Sequence, residues 1–317
     1  MPPIIFPGES TIIWGVKMII LTSKKTIKYI SLVIMIAAVL SLSFVVLLST
    51  AADVFEQTPD DNSSYTAKTV PIIMYHSIMK KSSQFGKYVI TDNEFENDIS
   101  YLKEHGYTSI SMTELINHVY GGSELPGKPV IITFDDGNLN NYIFGKPVLK
   151  KYGMKAVISI VGAYTESFSQ SAPPTEDPAY AFASWAQIKE MSDSGLFEIQ
   201  NHTYNLHVIN KQRYGIKKKS GESPENYKER LTSDISKLQD KIREVTGITP
   251  NTFTYPFGYI SKESKEVLKE LGFKATLSCA EGVNIIDRNK QDALYGLKRK
   301  NRPHGISSEA FFKNFCP

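Results

Sequence analysis

The chain has 317 residues, 41% of them hydrophobic and 22% charged, an ordinary soluble composition. That length suits one large core with appendages, or two small domains. A net charge of +3, dispersed along the chain, argues against nucleic acid as a partner.

Lys24, Lys25 and Lys28 precede a nearly uninterrupted apolar segment over 29–48, long enough to cross a bilayer as a helix. Asp53, Glu56, Asp60 and Asp61 follow it, so the positive-inside rule keeps 1–28 cytoplasmic and exports everything beyond Leu48. Ser49-Thr50-Ala51 also resembles a signal cleavage site, so an uncleaved anchor and a removed signal both stand, with the length favouring the anchor. Met18 is an alternative start, because 2–17 shows no structural logic. The polar, acidic stretch 49–69 reads as a tether.

The folded domain is expected over 70–317, opening with the strand Val70-Pro71-Ile72-Ile73-Met74-Tyr75. Phe95, Ile99 and Leu102 recur at helical spacing with Gly106 as a stop, and a short helix over 113–120 closes on Gly121-Gly122. The run Pro129-Val130-Ile131-Ile132 predicts a buried parallel strand. Helices over 142–152, 185–194, 225–245 and 262–271 alternate with strands over 156–161, 197–199, 252–255 and 273–277. Repeated βα units imply a parallel sheet with helices outside, doubly wound or closed as a barrel. Asp135, Asp136, His202, His207 and the turn Tyr255-Pro256-Phe257-Gly258 all fall just past strand ends, as at the C-terminal face of a TIM-like barrel. Two insertions on that face, 164–183 and 210–226, are placed to line a substrate groove.

Alone, Phe134-Asp135-Asp136-Gly137 reads as a turn. At the end of a buried strand, two neighbouring carboxylates repel each other and need a cation. A lone histidine near a strand end is more often a polar core residue than a ligand. His202 and His207 instead share one short polar segment, and their i, i+5 spacing calls for a loop or broken turn. One carboxylate with two imidazoles is the ligand set of an open catalytic metal site, with a second carboxylate left as base, which points to metal-assisted hydrolysis. His105 and His118 sit in final helical turns and read as structural. Cys279 and Cys316 allow either a disulfide or two free thiols, and no Cys–His arrangement makes them nucleophiles.

Together these motifs resemble the polysaccharide deacetylase family (carbohydrate esterase family 4, the NodB homology domain). The matching pieces, in the family's order, are Ile73-Met74-Tyr75-His76, Thr133-Phe134-Asp135-Asp136-Gly137, Glu198-Ile199-Gln200-Asn201-His202-Thr203 and Tyr255-Pro256-Phe257-Gly258. The resemblance implies an α/β fold, a distorted (β/α)7 TIM-like barrel. It implies Asp135 as general base, with Asp136, His202 and His207 holding a divalent metal: zinc first, or cobalt, nickel or manganese. The tetrahedral oxyanion would be met by that metal and by a backbone N–H of the 255–258 turn, from Phe257 rather than Pro256, which has none.

Departures from the family pattern fall at three places. The two histidines are usually i, i+4; the extra residue here, Leu206, resembles the branch that deacetylates poly-N-acetylglucosamine in biofilm matrices. The arginine that orients the base is replaced by Thr254 and Tyr255, and Arg299 is the nearest substitute. No late leucine-x-histidine is recognisable, so His304 stands in as general acid, with a surface-loop role as its alternative and His76 as a further candidate. Lys217-Lys218-Lys219 reads as a solvated loop or as a contact for an anionic cell-wall polymer. The resemblance implies a deacetylase of N-acetylglucosamine residues in an extracellular or cell-wall polysaccharide, and the apolar 29–48 segment is expected to anchor it to a membrane. A peptidoglycan N-acetylglucosamine or N-acetylmuramic acid deacetylase is one alternative; a surface glycan-binding module that has lost turnover is another.

Overall fold

The computed structural model describes residues 32, 34–38, 40, 67–171 and 176–316. Residues 32, 34–38 and 40 are helical. Among the described residues no helix is long and apolar enough to cross a membrane. Segment 1–28, most of the 29–48 span and nearly all of 49–69 lie outside the described residues. A separate compact unit covers 66–317. Its first strand, Lys68–Val70, pairs antiparallel with Asn284–Ile286, so regular structure starts ahead of the boundary expected at Val70.

Seven parallel strands form the central sheet: β1 (Ile72–Tyr75), β2 (Pro129–Phe134), β3 (Ala156–Ile160), β4 (Phe197–Asn201), β5 (Thr252–Thr254), β6 (Ala275–Leu277) and β7 (Lys300–Asn301). Their order is β6-β5-β4-β3-β2-β1-β7, with Thr108–Ser109 beside the start of β2. Every residue of β1, β2 and β3 is buried. Ile73, Tyr75, Ile132, Phe134 and Ile158 pack into one apolar cluster, and Ile72, Ile131 and Val157 into another. Both faces are covered, which is why these strands read as unbroken apolar runs instead of alternating ones.

The sheet curls into a partial barrel. β7 lies against β1, with Lys300 opposite Ile73, while Leu297 bridges Leu277 of β6 in parallel. The Leu297 N–H donates to Thr276 O at 2.9 Å. One chain segment thus touches both edges of the sheet. With β6 three residues long and β7 two, the ladder is too short there for the even closure of a regular barrel.

Register levels the strand tips. Tyr75 lies opposite Phe134, Phe134 opposite Ile158, and Asn201 opposite both Ile160 and Phe253. Side chains just beyond β1, β2 and β4 therefore emerge on one rim. The outer helices start at capping boxes, Thr91 with Glu94, Ser111 with Glu114 and Ser184 with Gln187. The helix expected over 142–152 divides into a wide π turn, Asn141–Gly145, and a regular part, Lys146–Tyr152. Nearby asparagines serve the rim: Asn141 Nδ2 donates to His76 O at 2.9 Å and Asn140 Nδ2 to Ser77 Oγ at 2.7 Å. Wide turns of this kind recur beside functional sites. Cys279 and Cys316 are free thiols, so the disulfide alternative is not realised.

Candidate active site

Two carboxylates leave the tip of β2 in different directions. Asp136 adopts φ +70° and Gly137 φ +83°, turning the chain immediately after Asp135. A non-glycine residue held there costs about 1–3 kcal/mol, strain that clusters at functional sites. Gly137 is also hemmed in, since a Cβ would lie 3.1 Å from Cγ2 of Ile160.

Asp135 meets Arg299. The acid is 2% exposed and the arginine fully buried. Arg299 Nη1 donates to Asp135 Oδ1 at 2.7 Å and Nη2 to Oδ2 at 2.8 Å, a two-pronged pairing that fixes the carboxylate plane. The guanidinium is itself held, Nε donating to Ser278 O at 2.8 Å and Nη1 to Thr133 Oγ1 at 3.2 Å. Burial alone would raise the Asp135 carboxyl. The Arg299 charge and hydrogen bonds outweigh it and hold the acid well below the usual carboxylate range.

Asp136 turns the other way, towards His202 and His207. One oxygen or nitrogen from each of the three lies within 4.8 Å of the others. Asp136 Oδ1 is 3.5 Å from His202 Nε2 and 3.2 Å from His207 Nε2, yet it is buried with no hydrogen-bond partner. The Nδ1 of His202 lies 2.7 Å from Thr254 O, which can only accept, so Nδ1 carries the proton and the Nε2 lone pair faces Asp136. Burial would lower the His202 imidazole, but the Asp136 and Asp135 carboxylates hold it above its ordinary value. Burial and then His202 push His207 down to about 4, leaving that ring neutral. An orphaned carboxylate oxygen facing two imidazole nitrogens fits a divalent cation.

The loop that carries the histidines explains their spacing. Thr203 takes φ +75° and its N–H donates to Asn201 Oδ1 at 2.9 Å. Asp234, on the helix Pro224–Thr246, accepts the N–H groups of Tyr204 and Asn205, each at 2.8 Å. Leu206, the extra residue, is buried in an apolar cluster with Tyr227, Leu231 and Phe253. Tucking it inward brings the two imidazole centroids to 4.8 Å.

A cleft of about 640 Å³ opens over these groups, and His76 and Phe257 join its lining. The His76 ring lies 4.6 Å from Tyr88, and its Nδ1 is buried without a partner. Burial lowers the His76 pKa against the pull of Asp135 and Asp136. Of the 255–258 turn, Phe257 reaches the cleft, whereas Tyr255 and Pro256 are buried and Gly258 packs on Cys279. The turn's own bonds, Gly258 N–H to Tyr255 O and Tyr259 N–H to Pro256 O, leave the Phe257 N–H out.

His304 is not brought to the cleft. Its Nδ1 lies 2.7 Å from Glu94 Oε2 and its ring stacks on Phe85 at 4.9 Å. The reason is local: Glu94 is the capping-box acid of the helix Asp92–Glu104, and the turn after Pro303 supplies it with His304 and the Gly305 N–H. Asp234 and the asparagines that bind the His76 carbonyl, Asn138 and Asn141, went unread in the sequence. Single polar residues on a helix or turn carry no spacing signal.

The polysaccharide deacetylase family pattern matches residues 122–276. Over 247 residues the chain is 24% identical to a poly-beta-1,6-N-acetyl-D-glucosamine N-deacetylase of Escherichia coli (strain K12), covering 73% of this chain and 36% of that protein. It therefore spans about a third of that relative's length. A protein of the same description from Staphylococcus aureus (strain N315) is 25% identical over 272 residues, covering 80% of this chain and 87% of the relative. Among solved structures, the Streptococcus pyogenes deacetylase PplD in complex with acetate superposes with a TM-score of 0.65 at 22% identity, over 80% of this chain and 100% of that one, a likeness of fold.

Proposed function

We propose that this chain, whose residues 122–276 match the polysaccharide deacetylase family, is a hydrolase of N-acetyl amide bonds that deacetylates N-acetylglucosamine residues of an extracellular or cell-wall polymer of the poly-β-1,6-linked kind. One observation carries the reading: an Arg299-clamped carboxylate stands beside a second carboxylate that faces two imidazoles. Asp136, His202 and His207 would hold a divalent metal, zinc first. When bound, such an ion polarises the acetamide carbonyl and acidifies a water.

Asp135 takes the proton of the attacking water, kept ionised and oriented by Arg299. The Phe257 N–H, left out of the turn's own bonds among the described residues, would receive the oxyanion. Expulsion of an amine requires a proton on nitrogen; with His304 held by Glu94 away from the cleft, the candidates are Asp135, returning the proton it took, and His76, whose ring lines the same cleft. The products are acetate and a free amino sugar. Lys24, Lys25 and Lys28 ahead of the apolar 29–48 segment support a placement outside the membrane, on an anchor.

Acetate release from a β-1,6-linked N-acetylglucosamine oligomer, with and without chelator, tests the reading. Metal-dependent release is expected. Release from peptidoglycan fragments alone would favour the peptidoglycan alternative. Binding without release after metal reconstitution would mean a glycan-binding module.

A further inference from the structure

The insertion over 210–226 builds a second cavity outside the deacetylation site. Beside the hairpin of Ile209–Asn210 and Arg213–Tyr214 lies a space of about 760 Å³, lined by Lys211, Tyr214, Lys217, Lys218 and Lys219. Lys218 is neutralised by Glu263 at 3.1 Å, and Glu222 is taken by Arg230 at 2.7 Å. Among the described residues Lys211, Lys217 and Lys219 have no ion-pair partner.

This is not a loose loop. The Lys218 N–H donates to Ser261 Oγ at 2.8 Å, the Gly215 N–H to Val208 O at 3.0 Å, and Arg230 Nη2 to Lys217 O at 3.3 Å. Gly215, at φ +55°, lies so close to the catalytic turn that a Cβ there would sit 3.0 Å from Pro256 O. The backbone that carries Lys217 and Lys218 is thereby held beside the turn that carries Phe257.

Aromatic rings join the two cavities. Ring centroids are 4.2 Å apart for His207 and Phe257, 6.4 Å for Phe257 and Tyr259, and 5.8 Å for Tyr259 and Tyr214. Phe257, Tyr259 and Tyr214 remain 38%, 37% and 45% exposed. Large amphipathic rings left this bare, in a contiguous line, mark a contact surface.

We propose that this ramp and the lysine cavity form a distal subsite for an anionic polysaccharide. The glycan whose acetamido sugar occupies the catalytic cleft runs over Phe257, Tyr259 and Tyr214 and places a phosphate or carboxylate substituent among Lys211, Lys217 and Lys219. The unpaired charge selects the anion, and the ring ladder selects a sugar chain over a free ion. The proposal rests on the deacetylase reading and deepens it: among N-acetylglucosamine polymers, those carrying anionic substituents are preferred.

Three N-acetylglucosamine oligomers of equal length, one neutral, one phosphorylated and one carboxylated, are titrated into the full-length protein by calorimetry. An anionic oligomer should bind about tenfold more tightly than the neutral one, the size expected of a few exposed charge pairs. The advantage should vanish at about 1 M salt, where the Debye length is about 3 Å. It should also vanish in the combined Lys211→Gln, Lys217→Gln, Lys219→Gln variant, whereas Tyr214→Ala should weaken all three oligomers alike. Which anionic oligomer gains identifies the substituent. Equal affinity for charged and neutral oligomers, or a preference that survives the lysine substitutions, overturns the proposal. So does a result in which anionic vesicles, and not the oligomers, distinguish wild type from that variant. Acetate release from the neutral oligomer is followed in parallel. Its absence would count against the deacetylase reading while leaving the affinity comparison readable.

Discussion

Arg299 closes on Asp135 from 164 residues away in sequence, through parallel N–H···O contacts of 2.7 and 2.8 Å. It does so from the short stretch between Leu297, which bridges β6, and Lys300, which pairs with β1. The residue that keeps the proposed base ionised is thus set in the seam of the sheet.

Replacing that arginine tests the relationship. Arg299→Gln leaves Asp135 buried without its countercharge, so the carboxyl should take up a proton at neutral pH. Activity should fall at least a hundredfold, with about 3–5 kcal/mol lost from stability in denaturant titrations. Arg299→Lys keeps the charge and loses the fork, and should recover stability better than turnover. Metal content should stay near wild type in both, because Arg299 touches none of the three ligands. A loss of metal equal to the loss of rate would assign Arg299 to the metal site.

Metal analysis separates the two aspartates. Asp135→Asn should abolish acetate release while the purified protein still carries about one divalent ion. Asp136→Ala, His202→Ala and His207→Ala should each remove the ion and the activity together. Asp234→Asn weakens the brace on the histidine loop, and metal affinity should drop about 10–100-fold while saturating metal restores the rate. An Asp234→Asn protein with unchanged affinity would show that the loop holds its shape without that carboxylate.

The acid is tested by leaving group. His76→Ala should reduce turnover of the acetamide by about 10²–10⁴-fold and spare an activated acetyl ester, whose departing oxygen needs little protonation. His304→Ala should affect neither substrate to that degree. Equal losses on amide and ester in His76→Ala would point to a packing role beside Tyr88.

A pH experiment addresses the Glu94 cluster. Burial would raise the Glu94 carboxyl, but hydrogen bonds from Thr91, Gly305 and His304 bring it below its ordinary value. Its contribution is therefore present above the unfolded-state carboxylate pKa and lost as pH falls through the lower folded value. Glu94→Gln should cost about 0.5–2 kcal/mol at neutral pH, as a lost cap does, and should flatten the acid limb of the stability curve. An unchanged acid limb would place the sensitivity elsewhere.

Strand–helix alternation and the levelled rim were legible because β1, β2 and β3 are buried on both faces and so spell continuous apolar runs. Asp135 and Asp136 were legible because they close such a run, and His202 and His207 because they share one short polar segment after β4. Closure of the sheet was not, since β6 and β7 together offer only five residues of pattern. Arg299 was named as a substitute for a missing arginine, though nothing local to residues 297–301 announces a partner for β2. His304 was misplaced for the opposite reason. It lies late in the chain, as the acid was expected to, but the Glu94 that claims it is visible only once the helix Asp92–Glu104 has been capped.

The seam also bears on timing. A nascent chain stopped short of residue 299 already contains Asp135, Asp136, His202 and His207, but nothing yet fixes the plane of its base. Such an intermediate would hold the ligand set without an oriented base. An oriented base then arrives as a single late event, when the last strand seats.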